Sequence, residues 1–103
     1  MQVYAENRGD SLYLSLKGEM DEHSAVRARS YADRLAEASV GGVRRAVFDL
    51  GDVSFMDSTG IGFLIGRYKK FSSLGIPVYV TNLSSATDKI LKMSGVYTII
   101  PKI

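Results

Sequence analysis

The sequence predicts a single α/β domain built on a mixed sheet of about five strands with about three helices. Apolar residues alternate at period two in several short runs and recur at helical spacing between them. Turn residues separate the first two runs, the sign of an antiparallel hairpin. Helix-length segments separate the later ones, the sign of parallel pairing with right-handed crossovers. A chain of 103 residues supports one core.

The elements follow in order. "QVYAE" and "SLYLSLKG" read as two strands, with Leu12, Leu14 and Leu16 alternating with more polar neighbours. "NRGD" supplies the turn between them. "MDEHSAVRARSYADRLAEAS" reads as a helix, because Ala25, Ala28, Ala32, Leu35 and Ala36 share one face while Arg27 and Arg34 turn away. Asp21 or Ser24 is its expected cap, and Gly41 and Gly42 end the element. "RRAVFDL" reads as a short strand buried on both faces, and "GDVSFMD" as the loop that leaves it. A second helix begins at Ser58, "IPVYVTN" is a further strand, and "SSATDKILKMSG" is a third helix. That helix has Ser84 or Ser85 as cap and Ile90, Leu91 and Met93 as anchors, and Gly95 stops it in a left-handed conformation. "VYTII" reads as a last short strand closed by Pro101.

Several function classes are excluded or disfavoured at this level. The chain has no cysteine, so disulfides, thiol chemistry and Cys-based zinc sites are out. His23 is the only histidine and cannot form a multi-histidine metal site. The start "MQVYAENRGD" has no secretory pattern, and no apolar run approaches the roughly 20 residues that span a bilayer. A cytoplasmic protein is the expectation. Net charge is +2, but the basic residues are dispersed and interrupted by acids, so no direct nucleic-acid partner is expected. "DSTG" differs by one residue from the D-[ST]-G of aspartic proteases, and helical periodicity follows it where those enzymes continue as β-structure. Gly60, Gly62 and Gly66 do not have the spacing of a dinucleotide-binding fingerprint. No nucleophile–base–acid set is evident, so the chain is expected to have no catalytic activity and no cofactor.

The second helix is the informative one. Ile61, Leu64, Ile65, Tyr68 and Phe71 form its core stripe, while Gly62, Phe63, Gly66, Arg67 and Lys70 fall off it. Each interior glycine costs about 1 kcal/mol relative to alanine. Two readings stay open: close packing of the helix on the sheet, or a bare patch of backbone that a partner approaches, with Phe63 and Arg67 as handles. Asp57, Ser58 and Thr59 all stand where one capping side chain would do. The loop follows a parallel strand, the place where open α/β sheets put their sites. A helix start tolerates an added anion, so a phosphate on Ser58 would change an interface without melting the fold.

"FDLGDVSFMDSTGIGFLIGRYKK" closely resembles the segment around the regulatory serine of bacterial anti-sigma factor antagonists, of the STAS domain family. "LKGEMDEHSA" resembles that family's first loop and "KILKMSGVYTII" its C-terminal part, so the likeness runs through nearly all of residues 1–103. Within that family the segment resembles the sporulation branch. The resemblance implies that the unphosphorylated protein binds an anti-sigma factor that is also an ATP-dependent serine kinase, and so frees a sigma factor. It implies that the kinase phosphorylates Ser58, which ends binding, and that a serine phosphatase resets it. It places a kinase-contacting acid on Asp21, beside His23, and a docking surface on Asp57, Thr59, Gly60, Ile61 and the exposed side of the following helix. Such relatives continue into a further C-terminal helix that "PKI" does not supply. The alternative is a STAS-type sensor or scaffold that binds a small ligand or another protein, in which Ser58 matters less.

Overall fold

A computed structural model describes residues 1–19 and 21–103. Met20, the apolar position of "GEMD" and the expected start of the first helix, lies outside the described residues. Strands β1 (Gln2–Arg8) and β2 (Ser11–Glu19) are followed by helix α1 (Glu22–Ala38), then β3 (Arg45–Phe55), α2 (Ser58–Ser73), β4 (Val78–Thr81) and α3 (Ser85–Ser94). The sheet order is β1-β2-β3-β4, antiparallel in the first pair and parallel in the other two. The mixed α/β architecture is as the sequence predicts, with four strands rather than about five.

Period-two alternation sends Leu14, Phe48 and Val80 to one sheet face in a single cross-strand row. They join Ala32 of α1, Leu64 and Phe71 of α2 and Leu91 of α3 in one continuous core. Val47 lies on the opposite face and is fully buried between its in-register neighbours Tyr13 and Tyr79, which explains why "AVF" reads as buried on both sides. On that face Arg8 stacks on Tyr13, 4.1 Å from the ring centroid.

Three sequence expectations need correction. "GDVSF" is strand, not loop: β3 runs on to Phe55 because Lys17, Gly18 and Glu19 of β2 continue to pair with it through two register shifts. "VYTII" is not a strand. Val96–Thr98 form a 3₁₀ turn after Gly95, whose φ of 81° is the left-handed stop expected there. The chain meets β4 only after this turn, in an isolated parallel bridge at Lys102, where the Val80 amide donates to the Pro101 carbonyl at 3.0 Å and the Ile103 amide donates to the Val80 carbonyl at 2.9 Å. Met93 is 78% exposed and anchors nothing, whereas Leu91 is fully buried.

Candidate functional site

Asp57 caps α2. Its extended backbone directs one carboxylate oxygen to the amides of Thr59, at 3.0 Å, and Gly60, at 3.4 Å. The capping role is thus filled by one of the three polar residues. Ser58 is the first helical residue, is exposed, and its hydroxyl hydrogen-bonds to no described residue. Thr59 is half-buried and Gly60 buried. A Cβ on Gly60 would come 2.2 Å from the sulfur of Met56, which is itself 3% exposed. Glycine therefore lets the chain seat Met56 under the first turn of α2, and this fixes where Ser58 emerges. Ile61 follows half-buried, its amide bonded to the Asp57 carbonyl at 3.0 Å.

The head of α1 is built from the same residue types. Asp21 is its cap, and Ser24 closes a capping box: the Ser24 amide donates to the Asp21 carboxylate at 2.8 Å, and the Asp21 amide donates to the Ser24 hydroxyl at 3.3 Å. Hydrogen bonding from the Ser24 amide first, and from the Ser24 side chain second, holds the Asp21 carboxyl below the usual aspartate range. Asp21, Glu22 and His23 are all exposed.

The two helix heads share one opening. A cleft of about 430 Å³ lies between α1 and α2, with Ser58 and Thr59 at its rim beside Glu22. Ala25, Val26 and Arg29 of α1 form one wall and Gly62 and Gly66 of α2 the other. Phe63 and Arg67 also line it, but as floor: they are 5% and 6% exposed. The expectation of Phe63 and Arg67 as exposed handles is therefore corrected. Helix α2 is buried over a wider arc than its sheet-facing stripe because α1 packs beside it. Phe63 meets Phe48 edge-on at 6.2 Å. Arg67 stands with its Nε 2.8 Å from Asp33 of α1, and Lys70 pairs with Glu37 at 2.7 Å. Burial lowers the Arg67 pKa; Asp33 opposes that shift, and the nearby Arg29 charge adds to it.

The open patch of α2 backbone was legible in Gly62 and Gly66. The α1 wall was not, although Glu22, Val26 and Arg29 recur at i, i+4, i+7 off the alanine stripe, the one signal that would have found it. No cluster of His, Cys, Asp or Glu among the described residues is arranged to hold a metal ion.

A single mixed sheet has its helices packed on one face, and a capped helix head presents an unengaged serine beside an open cleft. The chain belongs to the STAS domain family, whose family model matches residues 2–103. An anti-sigma F factor antagonist of Paenibacillus polymyxa is 30% identical over 101 residues, spanning 98% of this chain and 85% of the relative. An anti-sigma-B factor antagonist of Bacillus subtilis is 34% identical over 100 residues, spanning 97% of this chain and 88% of the relative. Among solved structures, the unphosphorylated anti-sigma factor antagonist SpoIIAA superposes with a TM-score of 0.79 at 22% identity, covering 99% of this chain and 88% of that one. The phosphorylated form of SpoIIAA, from Bacillus, superposes at 0.72, covering 99% and 91%. No described helix is long and apolar enough to cross a membrane.

Proposed function

We propose that this chain is an anti-sigma factor antagonist switched by phosphorylation at Ser58. In the unphosphorylated form the heads of α1 and α2 dock on an anti-sigma factor that is also a serine kinase, and the sigma factor is released. Asp21, His23, Asp57, Thr59, Gly60 and Ile61 surround the docking point, with Phe63 and Arg67 beneath it. The observation that carries the reading is the division of labour at α2: Asp57 satisfies the helix start, so the Ser58 hydroxyl is exposed and has no structural task. The names of the two curated relatives support it.

The chemistry is phosphoryl transfer. The Ser58 oxygen forms a bond to the γ-phosphorus of ATP held by the kinase, the bond to the bridging β–γ oxygen breaks, ADP leaves, and a kinase base takes the hydroxyl proton. This chain supplies only the acceptor. The product carries about −1.5 to −2 extra charges at neutral pH. The amides of Thr59 and Gly60 already serve the Asp57 carboxylate. The phosphate is then a second anion at one helix start, and it repels any partner that seats an acidic or apolar group there. Hydrolysis by a serine phosphatase restores the hydroxyl.

The test is intact mass and peptide mapping after incubation with ATP and the anti-sigma F factor of Paenibacillus polymyxa. One phosphate on Ser58 is the expected result. An unmodified chain, with the kinase active on its own antagonist, leaves Ser58 as a surface residue of the helix start and turns the reading to another partner pair or to the sensor alternative.

A further inference from the structure

The two faces of the sheet are finished differently. All three helices join the core on the Phe48 face. The opposite face carries Tyr4, Tyr13, Val47 and Tyr79, and no described helix packs on it. Its residues stand in cross-strand rows. Arg8, Ser11 and Arg45 are in register across β1, β2 and β3. Two residues further along, Tyr13, Val47 and Tyr79 are in register across β2, β3 and β4. Strand rise sets the two rows about 7 Å apart. Val47 is fully buried, so the second row is a continuous apolar strip with a ring at each end.

A second observation is the charge around the rings. Arg8 lies 4.1 Å from the Tyr13 centroid, Arg45 5.9 Å from that of Tyr79, and Lys17 5.8 Å from that of Tyr4, which is 53% exposed. The acids of this face are engaged. Glu6 pairs with Arg8 at 3.2 Å, and Asp49 accepts from the Gly51 amide at 2.9 Å and from the Asn82 side chain at 3.2 Å. Lys17 and Arg45 pair with no acid among the described residues. Arg45 gives its Nε proton to the Ser11 hydroxyl at 2.8 Å, which leaves its terminal amino groups as donors. Tyr13 and Tyr79 are half-buried, and their hydroxyls hydrogen-bond to no described residue. These cations are dispersed at positions 8, 17 and 45, so the sequence argues against a nucleic-acid partner; the sheet gathers them on one face.

A row of cations beside a row of rings matches a polymer that alternates anionic and planar groups. We propose that this open face binds single-stranded RNA, with bases stacked on Tyr13 and Tyr79 and phosphates held by Arg8 and Arg45. The long arginine side chains leave the rings to the bases and turn to the phosphates. The tyrosine hydroxyls are then available to ribose 2′-hydroxyls, which donate and accept. The surface lies on the face of the sheet away from the helices, so the proposal stands apart from the Ser58 reading.

Fluorescence anisotropy of the full chain with a labelled, unpaired RNA of about ten nucleotides tests it. The dissociation constant should lie between about 10⁻⁶ and 10⁻⁴ M and rise with salt. Tyr79→Leu keeps an apolar body but removes the ring, and should weaken binding by about tenfold, the loss of one stacked base. Arg8→Gln changes an exposed side chain, so it tests the face even if Tyr79→Leu melts early. It should reduce the slope of log affinity against log salt by about 0.7, one phosphate contact on a single strand. A wild-type chain that does not bind, or wild-type affinity and slope in both variants, overturns the proposal. Equal or tighter binding of the DNA oligomer of the same sequence overturns the choice of RNA. A dimer in analytical sedimentation that Tyr79→Leu dissolves, with no RNA bound, assigns the face to a second copy of the chain instead.

Discussion

The heads of α1 and α2 use the same parts and reach opposite ends. Each begins with an aspartate in extended conformation whose carboxylate takes first-turn amides. In α1 the serine stands three residues after the cap, and its hydroxyl is spent on the capping box. In α2 the serine stands immediately after the cap, where it cannot reach back, and the third position is Gly60. A displacement of two residues separates a structural hydroxyl from an available one. Serine next to a cap is thus more informative about function than serine within one.

The comparison breaks most sharply at the serines. Ser58→Ala should abolish phosphorylation by the anti-sigma kinase, retain binding, and leave stability within about 0.5 kcal/mol of wild type, as for other exposed substitutions. Ser24→Ala should be phosphorylated as wild type is, and should cost about 0.5–1 kcal/mol in denaturant unfolding through the lost half of the box. Ser58→Asp carries part of the phosphate charge and should bind more weakly. Phosphorylation of Ser58→Ala, or its failure to bind, would sink the assignment of the acceptor.

The glycines give a smaller effect with two signs. Gly60→Ala pushes a methyl into the Met56 sulfur and should destabilise by about 1–3 kcal/mol, the cost of overpacking a filled site. Gly62→Ala meets nothing and should stabilise by up to about 1 kcal/mol. Equal effects at the two positions would mean that Met56 yields freely and that Gly60 does not fix the helix head.

Much of this was legible in the sequence, for identifiable reasons. The alternation in β2, the alanine stripe of α1 and the left-handed stop at Gly95 are local properties, and the structure keeps them. The capping cluster pointed to the candidate site, because three polar residues at one helix start exceed what capping needs. The depth of Phe63 and Arg67 was not legible: periodicity reports the face turned to the sheet, but burial of Arg67 depends on Asp33, which is 34 residues away. The length of β3 was hidden likewise, because its last residues hold strand geometry through irregular pairing with Lys17–Glu19, against a sequence rich in turn formers. The 3₁₀ turn at Val96 follows from the tight exit that Gly95 imposes, although its apolar residues suit a strand.

The smallest effect sharpens the comparison at α1 alone. The Asp21 carboxyl is held below its ordinary 3.8 by the Ser24 amide first and the Ser24 hydroxyl second. A carboxyl whose folded pKa is depressed contributes stability that is present above the unfolded value and lost as pH falls through the folded one. Acid should therefore open the capping box from below about pH 4. The Ser24 amide resonance, followed by NMR during acid titration, should move with a midpoint under 3.8. In Ser24→Ala the amide bond persists and the hydroxyl bond is gone, so the midpoint should rise part of the way back. A wild-type midpoint at or above 3.8 would mean that the box does not hold the carboxylate in solution. Ser24 would then be as free as Ser58, and the distinction between the two helix heads would rest on sequence position alone.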